Sequence, residues 1–208
     1  MLKSFLVVGM LSSLVLADLP VLKTGQIKSY DQDGNEVTDG SVKDDGFYKK
    51  GVQRRYSRDD ANEIVTDQVT GLMWQDDADA ASITKPWLTQ TNYDKCTGQN
   101  GQTQDASKCS DTSGDTAATY CANLTLGGYD DWRLPTDKEL ESIIDYGRAN
   151  PAVNTTYFQN VGSENYWSST VFPGYIYDTL FVNFYYGRLV NNSKDKSYYI
   201  RCVRSGQN

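Results

Sequence analysis

The stretch "GGYDDWRLPTDKELESIIDYG", residues 127–147, decides how this chain folds. Asp130, Asp131, Asp137 and Glu139 crowd into ten of its residues, which would suit acid–base work unless local structure already employs them. Pro135 holds its neighbour in extended backbone, Thr136 stands where an N-cap belongs, and Glu139, three residues on, completes a capping box. Asp137 and Glu139 thereby meet the positive end of a helix dipole. Leu140, Ile143, Ile144 and Gly147 repeat at helical spacing, so the helix is expected to run to about Gly147, with Asp137, Glu141 and Asp145 on its solvent face. Asp130 and Asp131 are adjacent and point apart in an extended loop. Trp132 and Leu134 bury while Arg133 turns toward an acid. The stretch reads as an elbow between two helices in preference to a carboxylate dyad.

Upstream, Asp115 is expected to cap a helix in which Ala117, Tyr120, Cys121 and Leu124 follow the i, i+3, i+4, i+7 pattern, ending near Gly127 and Gly128. Cys121 then faces the core. Of the four cysteines, Cys96 and Cys109 flank a polar segment and are paired locally, which leaves Cys121 and Cys202 for a long-range bridge. The sequence has no Cys-x-x-Cys and no histidine, so zinc ligation and any imidazole base are rejected. No glycine-rich phosphate loop is present. Carboxylate chemistry or binding remains, and no metal or cofactor is expected.

Strand signals lie on both sides of the elbow. "NEIVTDQVTGLMWQDD" (62–77) reads as strand, turn and strand, with Leu72 and Trp74 on one face and Gly71 at the turn's end. Residues 165–172, 178–191 and 197–204 are rich in β-branched and aromatic residues, with a bend at Gly187–Arg188. "YDQDGNEV" (30–37) reads as a small hairpin, because its glycine stands at the wrong position for a calcium loop. Residues 76–115 show no regular period, and a segment of that length needs a staple, supplied by Cys96–Cys109 and pinned by Trp87 and Tyr93.

Lys3, an uncharged run over residues 4–16 and the small-residue pattern ending at Ala17 read as a signal peptide over residues 1–17. The apolar run is shorter than the roughly 20 residues of a spanning helix. The mature chain is therefore expected to be exported, to periplasm, extracellular space or cell surface, with no transmembrane segment. A hairpin-rich lead-in (18–61), a main domain (62–204) and a short tail (205–208) follow. The formal charge is −7, which argues against nucleic-acid binding. Residues 171–208 nevertheless carry a net +3, so an anionic partner would be drawn there.

"TDQVTGLMWQDD", "TAATYCANL", "GGYDDWRLPTDKELESIIDYG", "YWSST" and "YYIRCVR", in that order, resemble the C-terminal domain family of the bacterial collagen-like adhesin Lcl, over roughly residues 62–204. The resemblance implies an α+β, C-type-lectin-like fold. In it two helices pack on a twisted antiparallel sheet, first and last strands pair, and a disulfide joins helix to last strand at Cys121 and Cys202. Trp74, Trp132, Arg133, Pro135, Thr136, Glu139 and Trp167 are its structural motif residues here. It further implies an exported binding module, the family's named member being an adhesin for sulfated polysaccharides. The chain lacks that member's Gly-X-Y region, and Trp167 is followed by serines instead of the Asn-Asp of calcium-dependent sugar lectins.

Tyr175, Tyr177, Asp178, Asn183, Tyr185, Tyr186, Arg188, Asn191 and Asn192 are the candidate ligand surface, Tyr and Asn being adaptable contact residues and aromatic faces stacking on sugar rings. Arg188, Lys194 and Lys196 would add anion recognition. The competing reading is that Leu180, Val182, Phe184 and Tyr186 form a buried sheet face. The expected function is a non-enzymatic binding or adhesion module for an extracellular glycan, polyanion or protein. The alternatives are a display protein with a variable 171–196 surface, or a carboxylate-dependent or thiol-dependent enzyme. The sequence leaves the oligomeric state open.

Overall fold

Residues 21–98 and 103–206 are described by the computed structural model; the signal peptide expected over 1–17 lies outside them. β1 (Ser29–Tyr30) and β2 (Glu36–Val37) form the small hairpin. Its turn is built by Asp31, whose carboxylate accepts from the amides of Asp33 (2.9 Å) and Asn35 (2.8 Å). A single turn, α1 (Asp45–Tyr48), follows its Asp44 cap. β3 (Tyr56–Asp59), β4 (Ile64–Asp67) and β5 (Leu72–Gln75) then run as an antiparallel meander. The β4–β5 turn is closed by the Asp67 carboxylate on Val69 N (2.8 Å) and by Gly71 at φ +73°. The stretch read as a lead-in thus contributes β3 to the main body.

The described residues of 76–115 are more ordered than their lack of period suggested. They hold a 3-10 turn at Ala78–Ala81, β6 (Thr84–Pro86), α2 (Gln90–Thr97) and a second 3-10 turn at Ala106–Ser110. Period fails as a signal here because α2 buries only Asn92 and Cys96. It is held by the Cys96–Cys109 disulfide and by Asn92 Nδ2 on the Asp111 carbonyl (2.8 Å). Trp87 and Tyr93 do pin the segment, through Trp87 Nε1 on Ser168 O (3.0 Å) and the Ser193 hydroxyl donating to Tyr93 (2.7 Å).

α3 (Ala117–Ala122) starts one residue later than expected. Thr116 is the cap, because its hydroxyl and that of Thr119 satisfy each other's amides, while Asp115 pairs outward with Lys85. α4 (Asp137–Ser142) has the expected Thr136–Glu139 capping box, a device worth about 1 kcal/mol. The Arg133 guanidinium grips Glu139 at 2.8 and 2.5 Å, so the elbow's charges close on one another. Asp131 closes on Arg204 in the same way (2.5 Å). α4 stops at Ser142, short of Gly147, because Asp145 N bonds Ala152 O (2.8 Å) and Tyr146 N bonds Thr24 O (2.7 Å). Those partners pull the chain out of the helix, and Asp145 does not share a helical face with Asp137 and Glu141.

β7 (Asn165–Val171), β8 (Asp178–Asn183) and β9 (Arg188–Ser193) form a second antiparallel run, with the expected bend at Gly187. Residues 197–204 are two strands, not one. β10 (Ser197–Tyr199) completes a five-stranded sheet, β6-β10-β7-β8-β9, and β11 (Val203–Ser205) a four-stranded sheet, β11-β5-β4-β3. Because β11 pairs with β5, the first and last strands of residues 62–204 are not neighbours. β10 meets β7 in parallel, so the architecture is α+β on one mixed five-stranded sheet and one antiparallel four-stranded sheet, where a single antiparallel sheet was expected.

Ile200, Arg201 and Cys202 make the crossing between sheets and are fully buried. The Gln75 side chain accepts the Cys202 amide (3.0 Å), replacing a ladder bond, and Cys202 bridges to Cys121. Arg201 donates to the Gln75 carbonyl (2.6 Å) and to Asp76 Oδ1 (2.7 Å), while Asp76 Oδ2 meets Arg58 and the Gln159 amide (2.8 Å). Removing one partner of such a buried pair costs about 3–5 kcal/mol. Two apolar cores flank this crossing. Val65, Trp74, Leu140, Tyr166 and Phe184 belong to one, and Trp87, Cys121, Trp132, Trp167 and Phe181 to the other. Pro135 is buried with them, its carbonyl accepting Ser169 N (2.7 Å).

Candidate functional site

The β8–β9 hairpin separates the candidate ligand residues into two groups at its opposite ends, about 17 Å apart at the usual rise per residue. At the turn end, Gly187 N closes on the Asn183 carbonyl (2.8 Å) and the Asn183 side chain accepts Tyr186 N (3.2 Å). A Cβ on Gly187 would lie 2.5 Å from Ile144 Cγ2, so only glycine lets the turn sit down on α4's exit. Further bonds fix the loop: Asn150 N on Tyr185 O (2.9 Å), Phe184 N on Glu164 O (2.8 Å), and the Tyr146 hydroxyl on Gly187 O (3.1 Å).

A shallow cleft of about 440 Å³ opens beside this turn. Cross-strand register sets Asn165, Asn183 and Arg188 in one row along its wall, with Asn183 Nδ2 donating to Asn165 Oδ1 (2.8 Å). Phe181 and Val190 lie in the next row. Tyr185 and Tyr186 stand over the cleft with ring centroids 4.3 Å apart, and the Arg188 guanidinium lies 5.2 Å from the Tyr186 ring. Tyr186 is 57% exposed, and no carboxylate among the described residues lies within 4.0 Å of Arg188. Tyr186 therefore departs from the buried face, to which Val182 and Phe184 belong, because β8 ends at Asn183.

The far end holds Tyr175, Tyr177, Asp178, Asn191, Asn192, Lys194 and Lys196, and most of them are engaged internally. Asn191 bonds Asp178 (2.7 Å), Asn192 bonds the Tyr198 hydroxyl (2.5 Å), and Tyr177 meets Thr103 (2.6 Å). Lys196 pairs with Asp195 (3.1 Å). Tyr175, 64% exposed, stacks loosely on Phe172.

Lys194 corrects the anion reading most clearly. It is 1% exposed, its Nζ donates to the carbonyls of Cys109 (2.8 Å) and Ile176 (2.5 Å), and it lies 4.7 Å from the Trp87 ring. Desolvation brings it down to about 8. With Arg201 buried and Arg204 held by Asp131, Arg188 is the cation of this basic segment left open to a ligand. The positive count along the chain therefore does not make a positive surface.

Sequence reading missed Asn165, whose membership depends on β7–β8 register, and the Arg58–Asp76–Arg201 cluster. A charged residue between Ile200 and Cys202 in an otherwise apolar strand was the available signal for the latter. All four cysteines are in disulfides. The model of the Lcl C-terminal domain matches residues 63–204. No curated protein matches the chain.

Proposed function

The chain belongs to the Lcl C-terminal domain family, and from that premise we propose that it is an exported, non-catalytic binding or adhesion module that holds an extracellular glycan at the β8–β9 turn. The observation that carries the reading is the cleft itself, where two exposed tyrosine rings, two amides and one unpaired arginine converge on a loop already fixed by backbone bonds. Aromatic faces take sugar rings, amides donate and accept at hydroxyls, and a pre-ordered loop loses little entropy on binding. One open cation suits a sugar with few charges better than a dense polyanion. Export is supported by the two disulfides, which persist in oxidising compartments. No helix among the described residues is long and apolar enough to cross a membrane. The α+β architecture and the helix-to-crossing disulfide support a C-type-lectin-like assignment.

A second reading, a display protein gripping a protein partner, is favoured by β9, an edge strand of its sheet, where Val190 is exposed. A screen of neutral and sulfated glycans at two salt concentrations separates the readings. Binding that weakens about five- to tenfold on Tyr186→Ala and is kept on Lys196→Ala supports the glycan cleft. Absence of binding to any glycan abandons it in favour of the protein partner.

A further inference from the structure

A second cleft, of about 500 Å³, lies where the lead-in docks on the body, and much of its wall precedes the residues that match the family. Its geometry begins with close backbone approach. Lys23 N bonds Val52 O and Val52 N bonds Val21 O, both at 2.9 Å, so residues 21–25 run as a strap beside residues 51–55. A Cβ on Gly25 would meet Asp145 Oδ1 at 1.9 Å, so the strap lies flush against the loop leaving α4. The Arg54 guanidinium fastens it, donating Nε to Ser142 O (2.8 Å) and Nη1 to Lys23 O.

Lys23, Arg54 and Arg55 all line this cleft, and none has a carboxylate within 4.0 Å among the described residues. The one acid of the wall, Asp145, is occupied by Arg148 (3.0 Å) and by Gly147 N (2.9 Å). Three unopposed cations in one concavity of a protein of net charge −7 form a local positive field. The Tyr56 hydroxyl is buried without a hydrogen-bond partner, although its residue lines the cleft. Burial pushes that hydroxyl above the ordinary tyrosine range, so it stays a neutral donor. Buried polar groups are almost always satisfied, and Asp67, opposite Tyr56 across the β3–β4 ladder, has a second such orphan in its Oδ2. The Tyr56 and Tyr157 rings, 5.6 Å apart, add aromatic surface, and Gln53, Gln68 and Asn154 supply amides that both donate and accept.

We propose that this cleft binds a sugar acid, with Arg55 and Lys23 taking the carboxylate and the Tyr56 hydroxyl and the amides taking sugar hydroxyls. The volume falls in the range of small-molecule sites and suits a ring of monosaccharide size. The site is separate from the β8–β9 cleft, so either can fail without the other.

The test is calorimetric titration of the full chain, recovered from an exporting host, with D-galacturonate, D-glucuronate, D-galactose and glucose 6-phosphate. A saturable uronate isotherm stronger than that of galactose is expected. Arg55→Ala, at an exposed position, should weaken it about tenfold or more, and Tyr56→Phe about fivefold, as loss of charged and neutral hydrogen bonds predicts. Lys50→Ala removes an exposed charge that lines neither cleft and should change it less than about twofold. Melting curves of Arg55→Ala and Tyr56→Phe establish that both fold. Three results overturn the proposal: no saturable uronate binding, binding indifferent to both Arg55→Ala and Tyr56→Phe, or galactose or the phosphate ester binding as tightly as the uronates.

Discussion

The two ends of the β8–β9 hairpin carry nearly the same side chains and use them in opposite ways. Each has tyrosines, asparagines and at least one cation. At the far end the asparagines bond Asp178 and Tyr198 within the sheet itself, and the disulfide-stapled segment seals the cation Lys194 against the Cys109 carbonyl and beneath Trp87. At the turn end nothing among the described residues covers the tyrosine pair, and Arg188 keeps its charge in solvent. Composition therefore does not distinguish a ligand surface from an internal network. What distinguishes them is whether a neighbouring segment has already supplied the partners.

The most forceful way to break the comparison is to release the cover. Replacing Cys96 and Cys109 by serine removes a bridge of sequence separation 13 and should lower stability by about 3 kcal/mol, read as a shift in urea midpoint. Affinity at the turn end should stay within about twofold, because no residue of that cleft touches the staple. A parallel loss of binding would mean that the two ends are one unit. Next in size is Lys194→Ala, which strips a buried carbonyl, that of Cys109, and a part-buried one, that of Ile176, of their donor. It should cost about 2 kcal/mol, or some 4–8 °C in melting temperature.

Lys194 also gives the closed end a pH signature. Its folded pKa, about 8, lies below its ordinary 10.5, so between those values the unfolded chain binds more protons than the folded one. Stability from this group therefore rises with pH across that window, against an opposing pull from Asp178. Subtracting the profile of Lys194→Met from that of the unaltered chain should isolate the rise. A flat difference would place the ammonium in water, contrary to its burial.

Much of the frame was legible along the chain because it is written in local chemistry. The Thr136–Glu139 box, the Gly71 turn and the Gly187 bend each need only residues a few positions apart. The break between β10 and β11 was not legible, since Tyr198, Ile200 and Val203 look like one apolar strand and only Gln75 and Asp76, more than a hundred residues earlier, pull it across two sheets. Half of the candidate site failed for a related reason. Nothing near Lys194 in sequence announces the carbonyl of Cys109 that buries it. Asn165 went unnoticed because its place beside Asn183 follows from register alone.

The remaining expectations concern the open end and are smaller. Tyr186→Ala removes one face of the cleft and should weaken glycan binding by about 1–1.5 kcal/mol, five- to tenfold, with melting unchanged because the ring is exposed. Arg188→Ala separates charge from contact. If the guanidinium attracts an anionic sugar through solvent, its loss should matter about two- to fivefold at low salt and fade by physiological ionic strength, where screening acts over about 8 Å. If instead it serves by lying against the Tyr186 ring, 5.2 Å away, the same substitution should weaken binding equally at both salts and add little to Tyr186→Ala. The cleft's single open charge, beside two rings and two amides, favours the second pattern.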